Sequence, residues 1–306
     1  MTTAAVIGLG SMGPGIAATL LRGGMIVRAC DTDPQALENA PALIAAANTV
    51  LDALDTPDKS DGGEVMVTGD LARCVAGADL VIETIPEDLD LKLGLLERLD
   101  RLVSPRCVLA SDSSGIPVGK LQAKVSHPGR VIGMHWSNPP HIIPMIEVIA
   151  GEKTDRSVVD WMVSTIKGLD LVPVVVKKDV PGFVENRVLY ALLREAVDLV
   201  ERGVIDAENL DTCVSWGIGY KLAVIGPMAL LDMAGLDIYQ AVGGYLNREL
   251  CNREDVGRFI TDRTGAGNLG IKTGGGVYSY TPEGFEKLQS ARAKTLVAVR
   301  KALEAG

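Results

Sequence analysis

Apolar positions fall at two alternating periods along the first half of the chain. Residues 3–8 form a short apolar run that predicts a buried strand, and a glycine-rich loop over 8–13 leads into an apolar helix over 14–23. A second strand, MIVRACD, ends at Asp31. Helical spacing returns over 34–54, with Pro34 in the first turn, where its missing N–H costs nothing. The polar segment 56–63 predicts a loop, β-like runs follow at 64–67, 79–83, 107–111 and 130–134, and 89–103 is helical. Strands alternating with helices predict a parallel sheet covered on both faces. The alternation stops near Lys178. The run KKDVPGF reads as a hinge, and helical periodicity with charges on one side resumes over 184–202. An α/β domain over 1–180 and an all-helical domain over 181–306 are expected.

Composition narrows the function classes. The chain has 306 residues, 47% of them hydrophobic and 23% charged, which fits a globular core and not a disordered segment. A formal net charge of -9 argues against wrapping a nucleic-acid backbone and disfavours an anionic membrane surface. The apolar N-terminus is too short for a signal sequence, and no apolar run approaches membrane-spanning length. The five cysteines (Cys30, Cys74, Cys107, Cys213, Cys251) are scattered without a CxxC, so neither a metal site nor a disulfide framework is expected. Reduced thiols in a cytoplasm are the simplest reading. None sits in an evident activating context, which speaks against a thioester route.

Two segments carry chemistry. Gly8, Gly10 and Gly13 form GxGxxG between a strand and a helix, with Ser11 and Met12 inside the loop. Gly8 permits the turn, Gly10 lets a pyrophosphate approach the backbone, and Gly13 allows close helix packing. Asp31 ends the next strand, where a carboxylate can hold the adenine-ribose hydroxyls. Thr32 and Asp33 supply no cation for a 2′-phosphate, so NAD is favoured over NADP. A Rossmann-type doubly wound sheet follows from this placement. The second segment is HWSNPPHIIPMIE, in a chain with only three histidines. His135 and Glu147 suit a base and its orienting carboxylate. The residues alone fit a core histidine with a nearby surface glutamate equally well. Asn138 and Asn186 are amides in turn-like settings, and Ser114 follows a strand, where ligands of such folds gather.

Taken together, VIGLGSMGPGIA, DLVIETIPEDLDLK, ASDSSG, the histidine segment, KDVPGFVENRVL and GGVYSY resemble the 3-hydroxyacyl-CoA dehydrogenase family across nearly the whole chain. The resemblance implies that Ser114, His135, Glu147 and Asn186 are catalytic, that Asn138 matches the amide after the histidine, and that Glu87 and Lys92 lie near the cofactor ribose. It also implies a homodimer formed through the helical domain. Two departures bear on the substrate. Fatty-acid members carry two aromatics after the histidine, whereas Trp136 is followed here by Ser137. The segment 34–61 has one basic residue, Lys59, few for the phosphates of CoA.

The segment GIGYKLAVIGPMALLD, with Lys221, is similar to members acting on small acids. The blocks HWSNPPHIIPMIEVIAGEKT and VVVKKDVPGFVENRVLYALLREAVDLVERG resemble members that oxidise a small aromatic aldehyde bearing a carboxylate. That resemblance implies a ring held by Trp136 and a carboxylate met by Lys221 or Arg187. The expected activity is NAD-dependent oxidation of such an aldehyde, without a metal. A 3-hydroxyacyl-CoA dehydrogenase and a small hydroxy-acid dehydrogenase are the enzyme alternatives, and a non-catalytic NAD-binding structural protein is the alternative of a different class.

Overall fold

In the computed structural model, which describes residues 1–305, the chain divides into two compact units. The first comprises Met1–Arg187 with Leu296–Arg300, and the second comprises Val188–Thr295 with the residues from Lys301 onward. The first unit is built on one sheet. Its elements run β1 (Thr3–Ile7), α1 (Gly13–Arg22), β2 (Ile26–Cys30), α2 (Pro34–Ala53), β3 (Met66–Thr68), α3 (Leu71–Val75), β4 (Leu80–Glu83), α4 (Leu89–Leu102), β5 (Val108–Ser111), α5 (Val118–Leu121), β6 (Val131–Trp136), β7 (Met145–Ala150), α6 (Arg156–Gly168) and β8 (Val172–Val176).

The strand order is β3-β2-β1-β4-β5-β6-β7-β8. Winding reverses between β1 and β4, which opens a crevice at the carboxyl ends of those strands. Neighbours from β3 to β6 are parallel, as the alternation predicts. β7 departs from that expectation and runs antiparallel to β6, while β8 is parallel to β7. The linking segment 137–144 is too short for the crossover of about a dozen residues that a parallel return needs. Neither β7 nor β8 is predicted by the pattern, because prolines break up the run that contains β7.

The period-2 alternation of the strands feeds two cores, one on each face. Ala4 and Val6 of β1 join one core, and Ala5 and Ile7 the other. On β6, Ile132, Met134 and Trp136 enter the first core with Ile146 and Val148 of β7. Val131 and Ile149 enter the second core, together with Phe183. α1 is buried nearly all round, with Gly13 through Leu21 inside.

The second unit is helical. It takes in most of α7 (Glu185–Glu201), then α8 (Ala207–Cys213), a π-helical stretch Val214–Gly219, α9 (Tyr220–Leu222), α10 (Pro227–Ala234), α11 (Leu236–Glu249), α12 (Arg258–Gly265) and most of α13 (Pro282–Ala305). Among the described residues, no single helix is long and apolar enough to cross a membrane.

A buried ion pair locks α4 to the start of β6. Arg130 Nη2 donates to Asp100 Oδ1 at 2.6 Å and to the Asp100 carbonyl at 3.0 Å, and the Ser126 N–H donates to Asp100 Oδ2 at 2.8 Å. Burial opposes the charge on Asp100, but Arg130 and Ser126 outweigh it and lower the carboxyl from 3.8 to about 2. A depressed folded value gives stability that is whole above the unfolded value and is lost as pH falls through the folded one. Asp100→Asn is therefore expected to cost about 3 kcal/mol at pH 7, read by urea unfolding. The difference from wild type should shrink as the pH approaches about 2 and the wild-type carboxyl gains its proton. A difference that holds constant down to that pH would refute this role.

Candidate active site

The loop after β1 is shaped by its glycines. Gly8 has φ +106, and a Cβ there would lie 2.6 Å from the Thr84 carbonyl oxygen. A Cβ on Gly13 would lie 1.9 Å from the Gly8 oxygen, whereas one on Gly10 meets nothing within 4 Å. Asp31 Oδ2 accepts the Leu9 N–H at 2.6 Å and Oδ1 accepts the Asp33 N–H at 2.9 Å, so the carboxylate at the end of β2 is tied to the loop. α2, α3 and α4 begin with Asp33, Asp70 and Asp88 side chains bonded to their first amides. α1 begins at Met12 with no side-chain cap. An uncapped N-terminus beside open space over Gly10 fits a pyrophosphate, and Asp31 fits a ribose.

The β6–β7 register sets His135 directly opposite Glu147. His135 Nδ1–H donates to Glu147 Oε2 at 2.8 Å, and both side chains are buried. Glu147 Oε1 accepts the N–H groups of Val184 at 2.9 Å and Glu185 at 3.1 Å. These amides leave a turn in which Gly182 has φ +77 and Phe183 φ +48. The left-handed Phe183 is strained, and its ring packs 5.8 Å from the imidazole. Burial opposes the charge on Glu147, but His135 and the two amides outweigh it and hold the carboxyl below its usual value. Burial likewise opposes the proton on His135. The bond to Glu147 and the charges of Asp112, Glu147 and Glu185 outweigh it and hold the imidazole above its usual value. Nε2 is left to exchange a proton with a ligand.

Ser114 sits on a loop organised by Glu87. Glu87 Oε1 accepts the Ser113 hydroxyl at 2.7 Å and the N–H groups of Ser114, Gly115 and Ile116 at 3.1, 2.9 and 3.3 Å. Burial opposes this charge too, but Ser113, Lys92 and the amides hold the carboxyl below its usual value. Lys92 is 1% exposed. Its ammonium donates to both Glu83 oxygens at 3.0 and 2.9 Å and to the Ile85 carbonyl at 3.1 Å, and it lies 3.7 Å from Glu87. The Ser111 hydroxyl also donates to Glu83. Asn186 Nδ2 donates to the Ser114 carbonyl at 2.7 Å. Ser114 and Asn186 are thus brought together.

Trp136 is 1% exposed in the first core. It points to the opposite face of the sheet from His135, because successive side chains alternate, and this corrects the expectation that it holds a ring. Arg187 folds back to the Pro181 carbonyl at 3.4 Å. Lys221 belongs to α9 in the second unit. Asn138 lies in the loop after β6 and joins Pro139 through a cis peptide bond. Cys30, Cys74 and Cys107 are buried, and burial pushes the Cys107 thiol up to about 12, away from the reactive thiolate form.

Two carboxyl groups that were not singled out, Asp112 and Glu185, stand beside the pair with Ser137. Asp112, pushed up to about 7 by burial, accepts the Trp136 N–H at 2.8 Å. The Ser137 hydroxyl donates to Glu185 at 2.6 Å. Asp112 lies within ASDSSG and Glu185 within VPGFVENRV, so the signal was present as a carboxylate inside each block.

A dinucleotide cradle and a braced imidazole on one sheet define an NAD-dependent oxidoreductase. Family models for the 3-hydroxyacyl-CoA dehydrogenase NAD binding domain and C-terminal domain match residues 3–180 and 182–280. The chain belongs to the 3-hydroxyacyl-CoA dehydrogenase family. It is 60% identical over 301 residues to 5-formyl-3-hydroxy-2-methylpyridine 4-carboxylate 5-dehydrogenase from Mesorhizobium japonicum, covering 98% of this chain and 97% of that protein. L-carnitine dehydrogenase from Streptomyces griseus is 37% identical over 231 residues, 76% of this chain and 69% of that one. A crystal structure of the 5-dehydrogenase for 5-formyl-3-hydroxy-2-methylpyridine 4-carboxylic acid, described as an NAD+ dependent dismutase, is similar with TM-score 0.97 and 59% identity, covering 99% of each chain.

The two glycines separate fold from cofactor binding. Gly10→Ala puts a methyl into the open space and is expected to leave the thermal midpoint unchanged while weakening NADH binding about tenfold, or 1.4 kcal/mol. Gly13→Ala meets backbone and is expected to lower both. Melting curves and NADH fluorescence titrations read the two effects. Unchanged NADH affinity in Gly10→Ala would mean that the loop is only a turn.

Proposed function

We propose that this protein oxidises 5-formyl-3-hydroxy-2-methylpyridine-4-carboxylate at its formyl carbon to the dicarboxylate. Aldehyde, water and NAD+ give carboxylate, NADH and two protons. The buried His135–Glu147 bond carries this reading, supported by 60% identity to the 5-dehydrogenase over nearly its whole length. Gly8, Gly10, Ser11, Met12, Gly13 and Asp31 hold the cofactor, with Asn138 beside it and Glu87 and Lys92 near its ribose, Lys92 acting through Glu83 and Glu87 and not by contact. Bound there, NAD supplies the hydride acceptor. His135 Nε2 takes a proton from the attacking water or from a hydroxyl of the hydrated aldehyde, and Glu147 stabilises the imidazolium. The Ser114 hydroxyl and the Asn186 amide donate to the developing oxyanion. Arg187 and, on the motif around it, Lys221 are the cations proposed for the substrate carboxylate. Dismutation, named for the solved relative, adds the reverse use of the site: a second aldehyde is reduced to the alcohol.

The NAD-binding role is assigned to 1–180, and substrate and dimer contacts to 181–306. A homodimer through the helical unit is supported by Trp216, Met228 and Met233, each at least 70% exposed. The free thiols support a cytoplasmic setting.

General-base help contributes roughly 100- to 10,000-fold. His135→Ala is therefore expected to cut turnover of the pyridine aldehyde at least that hundredfold, with NADH binding retained. NADH absorbance under saturating substrate reads it, and near-full activity in the variant would end the mechanism. Turnover of 3-hydroxybutyryl-CoA or L-gulonate with none of the aldehyde would move the assignment to the corresponding alternative.

A further inference from the structure

Glu185 opens α7 beside the catalytic pair, and the mechanism above leaves it unused. One of its oxygens, Oε1, accepts the Ser137 hydroxyl at 2.6 Å. The other, Oε2, is buried and has no hydrogen-bond partner among the described residues. A ring nitrogen of His135 and one carboxylate oxygen each of Glu147 and Glu185 lie within 4.8 Å of one another. Glu147 has both oxygens bonded, one to His135 and one to two amides. Glu185 does not. An unpartnered carboxylate oxygen out of water is costly unless a positive charge stands near it. Imidazolium at His135 is the cation this cluster can form for itself. The charged groups facing His135 are Glu147 from β7, Asp112 from the end of β5 and Glu185 from α7, while the Phe183 ring beside it carries no charge.

We propose that Ser137 and Glu185 form a second carboxylate arm of the His135–Glu147 pair, a positioning arm that stabilises the proton-carrying imidazole so that the site donates a proton as readily as it removes one. The proposal rests on the aldehyde reading above and deepens it. In the reductive direction, aldehyde, NADH and one proton give alcohol and NAD+. The carbonyl π pair moves onto oxygen, and that oxygen takes its proton from His135 Nε2. In the oxidative direction the same nitrogen accepts a proton from water or hydrate. An imidazole held by two carboxylates is in its acid form over a wider pH range than one held by Glu147 alone. This favours the reductive half without removing the oxidative one.

NMR titration of the three imidazoles in the full-length protein tests the arm without any substrate, with His135→Ala supplying the assignment. In Glu185→Gln the His135 midpoint is expected to fall by roughly one pH unit or more, the scale for losing an opposite charge a few ångströms away. Ser137→Ala leaves Glu185 charged but unsupported, so it should shift the midpoint the same way by less. His127 serves as the internal control and should not move. In steady-state assays of Glu185→Gln, the high-pH limb of aldehyde reduction and the low-pH limb of aldehyde oxidation should both move to lower pH. A merely structural role would lower both rates and leave the limbs in place. A His135 midpoint in Glu185→Gln equal to that of wild type would overturn the proposal. Should that variant fail to bind NADH or to fold, an unshifted midpoint in Ser137→Ala would overturn it instead. Absence of aldehyde turnover by wild type would sink the oxidation reading, and the titration would still decide the arm.

Discussion

The site depends on one cross-strand hydrogen bond, His135 to Glu147, and that bond depends on strand register. β7 runs antiparallel to β6, so the two residues face each other on one face of the sheet. Moving either strand by one residue would turn its side chain to the opposite face. Register is fixed by burial on both sides. Trp136, Ile146 and Val148 fill the first core, and Val131 and Ile149 fill the second. The apolar packing that looks unrelated to chemistry is therefore what aims the imidazole. The strained turn at Phe183 completes the arrangement by pointing two amides at Glu147 and laying a ring beside His135.

The second constraint is the number of carboxyl groups gathered at one end of the sheet. Glu83, Glu87, Asp112, Glu147 and Glu185 are all contributed by the sheet's carboxyl-terminal side or by the turn at 181–185. Each of the first four meets a specific donor. Glu83 has Lys92 and Ser111, Glu87 has the amides of 114–116 with Ser113, Asp112 has the Trp136 amide, and Glu147 has His135 with two amides. Lys92 therefore works at one remove from any ligand, by holding Glu83 and facing Glu87, which shapes the loop that bears Ser114. This gives physical content to a residue that resemblance alone places near a ribose.

Sequence reading reached the parts governed by local rules. GxGxxG between a strand and a helix, Pro34 in a first turn and Asp31 at a strand end are all decided within a few residues, and they stand where expected. It failed where the decision is non-local. The run that contains β7 carries Pro139, Pro140 and Pro144 just upstream and a glutamate in its middle, so no strand is predicted there. The residues alone left Glu147 open between partner and surface carboxylate, and the sheet register sets it against the histidine twelve residues earlier. Trp136 failed for a different reason. The resemblance implied a ring held by Trp136, yet as the strand neighbour of His135 it lies on the opposite face. Asp112 and Glu185 lay inside motifs already singled out, but a buried carboxylate carries no mark in the sequence to separate it from a solvated one.

The aldehyde oxidation proposed above asks more of the imidazole than oxidation of a hydroxyl does. A hydroxyl substrate requires one proton to be removed, so a neutral imidazole braced by one carboxylate is sufficient. An aldehyde requires water to be activated in one direction and an oxygen to be protonated in the other. The position after Trp136, aromatic in the fatty-acid members, holds Ser137, and its hydroxyl fixes Glu185 beside the pair. The serine–carboxylate pair puts a further carboxylate next to the imidazole. It also makes that side of the site less hospitable to an acyl chain, since a buried carboxylate oxygen without a partner gains nothing from a methylene neighbour. On the proposed reading, one polar pair serves proton traffic in both directions and leaves no apolar wall for an aliphatic chain.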